Sequence, residues 1–252
     1  MTATLDPPLA PTRPWTTKTI EWDGQSVAYT IRPSPRARTL SLFIRPDTGL
    51  VVTIPRAMPE ERIEPFLRRY RSWILRQTAR LARTAEQIPR RWPYGATLPY
   101  HGQEHAVELS KTSGRSQVER TGDGRLIVAM RRPTLDGARR MLRQWYQGQA
   151  TVWLTERVQA LGPRLGVTWR RIGIRDPRHR WGSCSFTGHL SFNQRLIMAP
   201  PAVIDYVVVH ELLHRKELNH SGRFWALVAE HYPGYREAKG WLKTYGPFLS
   251  LP

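Results

Sequence analysis

The chain has 252 residues, a formal net charge of +19 and a single cysteine, Cys184. That length supports one large domain or two small ones with a buried core, and an aromatic content of 10% excludes a mainly disordered chain. One cysteine excludes an internal disulfide framework, a Cys-rich zinc finger and an iron–sulfur cluster, so a metal site here must use histidines and carboxylates.

Residues 1–15 read as a Pro- and Thr-containing disordered leader without the basic and apolar regions of a secretory signal. The run Val203–Val209 is far shorter than the ~20 apolar residues that cross a bilayer, so no membrane association is expected. A lone thiol without an export signal makes the cytoplasm the expected compartment.

Residues 16–133 are expected to be β-rich with one basic helix. Asp23-Gly24 separates Thr19–Trp22 from Val27–Ile31, a hairpin signature. Pro46–Gly49 separates Leu40–Ile44 from Leu50–Ile54 in the same way, and Pro55 ends the last strand. From Pro59 to about Glu86 the apolar period becomes helical, through Ile63, Phe66, Leu67, Tyr70, Ile74 and Leu81. Arg68, Arg69, Arg71, Arg76, Arg80 and Arg83 occupy its other faces, as a solvated surface or as a surface for nucleic acid. Strands are expected again at Leu98–Tyr100, Ala106–Leu109 and Leu126–Ala129.

From about residue 134 to 252 the pattern is α+β. A long helix is expected over 134–162, stopped by Gly162-Pro163. Candidate strands follow at Trp169–Arg175 and His189–Ile197, then helices from Pro201 through Glu217, near 221–231 and near 234–244. No internal repeat is evident.

The chemistry concentrates in Val207–His220. His210 and His214 are four apart, so a helix places both imidazoles on one face, one turn apart, where they can share a tetrahedral zinc. Glu211 can then take the proton of a metal-activated water and pass it to the leaving amine. Two histidines and a glutamate after an apolar run would be costly to bury without such a role. His220 can be the third ligand if the helix ends near Leu218, with Asn219 in the left-handed conformation at the ending and Ser221 capping the next helix. Glu230 is its main competitor and His231 the next. Histidines 101 and 105 share the spacing, but Gly102 and β-like surroundings separate them. His179 and His189 read as surface or supporting groups. Cys184 lacks an assigned base, which argues against a cysteine protease.

Arg180-Trp181-Gly182-Ser183-Cys184-Ser185, Gly188–Asn193, Arg195–Ile197, the run Val203–Leu212, Asn219-His220-Ser221, Phe224-Trp225, Pro233 and Trp241-Leu242 together resemble the YgjP-like metallopeptidase domain, a relative of SprT-like and WLM zinc proteases. The match is detailed over about residues 165–245 and looser before it. The resemblance implies a minimal zincin core in 134–252, a small antiparallel or mixed sheet plus a metal-site helix. It implies His210, His214 and His220 as zinc ligands, one ion per chain, and Glu211 as general base for a polypeptide substrate. Zincins bind extended peptides along an exposed strand, and the candidate here lies within Trp181–Phe192. The alternative readings are a basic nucleic-acid-associated protein whose zinc domain is recruited to DNA-bound proteins, and a purely structural zinc domain. Glu211 argues against the last.

Overall fold

A computed structural model describes residues 15–22, 24–89, 96–177 and 180–251, which fall into two packing units, 1–87 and 88–252. Trp15 aside, the expected leader lies outside the described residues, as does His179.

In the first unit, β1 (Thr16–Trp22) and β2 (Gln25–Ser34) form the expected hairpin, with Trp22 opposite Gln25. Gly24 has φ 74°, a left-handed value that glycine adopts freely. β3 (Ser41–Arg45) and β4 (Gly49–Pro55) form the second. β2 pairs parallel with β4, giving the order β1-β2-β4-β3. Alternate residues such as Ile20, Trp22, Ile31, Val52 and Ile54 point into one core with Ile63, Leu67 and Ile74. The single helix expected after Pro59 is divided. A 3-10 turn at Glu60–Arg62 leads into α1 (Ile63–Arg69), and α2 (Arg71–Gln87) follows a break at Tyr70. The Tyr70 amide is shared between the carbonyls of Phe66 and Leu67, which tightens the chain there.

In the second unit, β5 (Thr97–Tyr100), β6 (Gln103–Lys111), β7 (Gln117–Arg120) and β8 (Arg125–Met130) form a sheet of order β5-β6-β8-β7. Its antiparallel, parallel, antiparallel pairing repeats that of the first sheet. The absence of a repeat in the sequence is therefore corrected at the level of topology. Its trace was legible as aromatic–x–Gly–Gln at both first hairpins, Trp22–Gln25 and Tyr100–Gln103. β7 was not foreseen, since Val118 is its only apolar residue.

Helix α3 (Leu135–Arg164) is capped by Thr134, whose hydroxyl accepts from the Gly137 amide. Ala138, Leu142, Tyr146, Ala150, Leu154 and Val158 recur every four residues along its buried face. The expected stop at Gly162-Pro163 is displaced. Pro163 is accommodated in the last turn, and the left-handed residue is Gly166, φ 62°. Gly162 is needed for another reason: a Cβ there would sit 2.2 Å from the Trp169 ring. The change of period near residue 134 and the break in packing near 88 do not coincide, because Leu98, Tyr100, Leu126 and Val128 share a core with Leu142 and Tyr146.

A third sheet follows, from β9 (Arg171–Arg175), β10 (Gly182–Cys184) and β11 (His189–Asn193), in the order β10-β11-β9. Instead of extending to Ile197, the last strand stops at Asn193, which caps a 3-10 turn over Gln194–Met198. Helices α4 (Pro201–Leu213), α5 (Gly222–His231) and α6 (Tyr235–Tyr245) and a closing 3-10 turn at Gly246–Phe248 complete the unit. The architecture is α+β, as expected. Among the described residues no helix is long and apolar enough to cross a membrane.

Candidate metal centre

Helix α4 is apolar almost all round and buried almost throughout, from Val203 to Leu213. Pro201 suits its first turn, where an amide would lack a helical partner. Arg157 of α3 grips Asp205 through two hydrogen bonds of 2.6 and 2.8 Å, and the Tyr232 hydroxyl donates to the Ala202 carbonyl. These contacts fix α4 between its neighbours and so fix what it carries.

The helix stops at Leu213, earlier than the Glu217 expected from the sequence, with His214 as its terminal cap. Asn219 is not left-handed, so that part of the expectation is corrected. Tight turns reverse the chain instead: the amides of Arg215 and Lys216 bond to the carbonyls of Leu212 and Leu213. The result for His220 is the one the sequence reading required. Ser221 accepts from the Phe224 amide and starts α5, as expected.

His210, His214 and His220 converge, with candidate ligand atoms within 4.8 Å of one another. Ring centroids are 4.9 Å apart for His210 and His214, 5.0 Å for His210 and His220, and 4.7 Å for His214 and His220. The Nε2 atoms of His210 and His220 are 2.9 Å apart. Neither Glu230 nor His231 belongs to the cluster. His214 Nδ1 lies 3.0 Å from the Glu217 carbonyl, which can only accept. This assigns the proton to Nδ1 and leaves the Nε2 lone pair for the cluster, the usual support of a metal-binding imidazole.

Phe224 stacks on His214 at 4.4 Å and meets His210 edge-on. Trp225 stacks on His220, and the Lys239 ammonium lies 3.9 Å from the Trp225 ring centroid. Burial drives the pKa of His210 down to about 3, reinforced by His214, His220 and Lys239, and burial also lowers that of His214. Both are therefore held as neutral imidazoles, the form that ligates a metal. Three imidazole nitrogen donors at this spacing suit zinc, whose 2.0–2.1 Å bonds set tetrahedral ligands about 3.3 Å apart.

Glu211 is 5% exposed. Burial pushes its pKa up to about 8, opposed by the positive charge of Arg180. Its carboxylate lies over Gly182 on β10: a Cβ at 182 would be 2.5 Å from both its Cγ and Oε1. Nothing in the sequence around Gly182 marks it for this role. It provides space that no other residue leaves. The preceding loop is held by Asn193, 1% exposed, whose Nδ2 donates to the carbonyls of Pro177 and Arg180. Arg215 ties the exit of α4 to the β10–β11 turn through the Phe186 carbonyl, at 2.7 Å.

The remaining candidates have other surroundings. His101 and His105 lie outside the cluster. Burial raises the pKa of Cys184, so its thiol is not activated. Trp181 and Cys184 pack against the core, the packing role allowed for them. A cavity of about 650 Å³ in the first unit is lined by Lys18 and Glu60, but these two already pair at 2.7 Å.

The family model for the YgjP-like metallopeptidase domain matches residues 38–245. Among solved structures, the crystal structure of the metallopeptidase zymogen of Pyrococcus abyssi abylysin is similar at 25% identity, over 34% of this chain and 86% of that one, with a TM-score of 0.31. No curated protein matches.

Proposed function

The chain belongs to the YgjP-like metallopeptidase family and is a peptide hydrolase, and we propose that it works with one zinc ion held by His210, His214 and His220 and with Glu211 as general base. The observation that carries this reading is the convergence of three imidazoles within 4.8 Å, beside a buried carboxylate on the same helix. When bound, zinc would supply a Lewis acid that lowers the pKa of water towards ~7 and polarises a carbonyl.

The protein's own groups do the rest. His214 is oriented by the Glu217 carbonyl, and His210 and His220 are walled by Phe224 and Trp225. Glu211 accepts the proton of the attacking water on a carboxylate oxygen. Its apolar surroundings stabilise the protonated form, so it holds that proton until the leaving nitrogen takes it. Gly182 and the helix axis fix where the carboxylate stands. A purely structural metal site has no use for a buried carboxylate that is outside the ligand set.

The test compares wild type with Glu211→Gln in hydrolysis of an unfolded protein substrate. The variant should keep its zinc and lose at least ~10²-fold in kcat. Equal rates would sink the general-base assignment.

A further inference from the structure

On the face of the third sheet turned away from Glu211, the strands form a trough of about 340 Å³. Its orientation follows from the register. Gly182, Phe192 and Ile174 share one row and Cys184, Leu190 and Ile172 another, and these rows face the core. The row between them, Ser183, Ser191 and Gly173, points the other way. The floor of the trough is therefore small and hydroxyl-lined, and Arg171, Arg175 and Arg180 stand around it.

Among the described residues, none that lines it is acidic. Elsewhere the arginines are often paired, as in Arg68–Glu64, Arg125–Asp123, Arg157–Asp205 and Arg195–Asp176. Among the described residues, Arg171, Arg175 and Arg180 form no ion pair. The Arg171 and Arg175 guanidinium groups, with Arg180 at the rim, whose charge also reaches Glu211, favour an anionic occupant over this shallow floor. Its shape is also indicated. Arg171 and Arg175 are four residues apart on one strand, about 13 Å, which matches same-face side chains at i and i+4 of another extended chain. β10 is the outer strand of the sheet among the described residues, so its edge can pair with such a chain. β10 also carries Gly182, which touches Glu211 on the opposite face. Among the described residues, the trough holds no Phe, Tyr or Trp on which nucleic-acid bases could stack.

We propose that this trough binds an acidic, extended polypeptide segment, and that the enzyme therefore selects substrates with Asp or Glu at alternate positions beside the cleaved bond. Side chains of a strand added to β10 alternate between the two faces: one set turns towards Glu211, the other lies over Ser183 and reaches across Ser191 towards Arg171 and Arg175 on β9. The proposal rests on the peptidase reading for its substrate and adds the chemistry that the substrate presents.

The experiment uses the full chain with Glu211→Gln, which removes turnover, and fluorescence anisotropy as its readout. The probes are two labelled 12-residue peptides, one alternating Glu and Ser and one alternating Gln and Ser. The Glu peptide should bind about tenfold tighter at ~0.1 M salt, the scale of two exposed charge pairs. Adding Arg171→Gln and Arg175→Gln should erase that difference. Adding Arg68→Gln and Arg69→Gln, an equal change in charge within the first unit, should leave it intact. Melting points matching the parent qualify the variants. Equal binding of both peptides would overturn the proposal, as would an equal loss in the Arg68 and Arg69 variant. So would displacement of the Glu peptide by a 12-mer oligothymidylate that binds more tightly and depends on Arg171 and Arg175, which would make the trough a nucleic-acid site. Failure here with Glu211-dependent cleavage intact would leave the peptidase reading standing. Selective binding without cleavage by wild type would instead sink that reading and keep the trough.

Discussion

His101 and His105 are four residues apart, as are His210 and His214, yet only the second pair converges. The backbone between them makes the difference. His101 occupies a reversal, with φ 50° and Gly102 at 78°, and His105 lies on the returning strand. His101 lies against Tyr100 and Trp153, each 4.2 Å away between centroids, while His105 bonds through Nδ1 to the Gln103 carbonyl. His210 and His214 share one face of α4, where four residues rise only about 6 Å. A spacing acquires chemical meaning only from the element that carries it. The third member shows the same from the other side, since His220 joins the pair because the helix has ended.

The sharpest way to break this contrast is to remove one histidine from each pair. His214→Ala should abolish stoichiometric zinc, whereas His105→Ala should retain it, both read by metal analysis after dialysis. Zinc lost equally from both variants would erase the distinction.

A smaller effect is expected at Gly182. Gly182→Ala should keep zinc and leave KM near wild type, but cost roughly 10- to 10²-fold in kcat, because the new methyl displaces the Glu211 carboxylate. The same substitution on a Glu211→Gln background should cost almost nothing more. Additive losses in that double-mutant cycle would assign Gly182 a role independent of Glu211.

Next comes packing. Gly162→Ala should destabilise the fold by about 1–3 kcal/mol through the clash with Trp169, without touching zinc content. Thermal melting checks it.

The smallest effect concerns the non-converging pair. Burial lowers the pKa of His101, so the fold disfavours its cation. The stability that goes with neutral His101 is present above pH ~6.5 and is lost as pH falls below that unfolded-state value. Wild type should therefore lose melting temperature relative to His101→Gln between pH 6.5 and 5, with a constant gap above pH 7. The other histidines cancel in that difference. A gap independent of pH would show that His101 does not titrate with folding.

Much of this was legible in the sequence, for identifiable reasons. The Asp23-Gly24 hairpin, the helix that carries His210 and His214 on one face and the Ser221 cap are local patterns, and local patterns survive tertiary context. Gly162 and Pro163 misled because they read as a stop, whereas Trp169 demanded a glycine there and Gly166 ended the helix. The exit of α4 came four residues early, since turns at Arg215 and Lys216 replaced the left-handed Asn219. Gly182 and the arginine trough were hidden for a different reason. Both depend on the register of strands separated in sequence, which no single segment encodes.

The central claim is that three imidazoles from the end of one helix and the turn after it form the metal site. Zinc analysis of His220→Ala beside Glu230→Gln tests it most directly, because these residues were the rival third ligands. The account predicts one zinc per chain in wild type and Glu230→Gln, and binding weakened at least ~10-fold in His220→Ala. Full zinc in His220→Ala together with its loss from Glu230→Gln would contradict it.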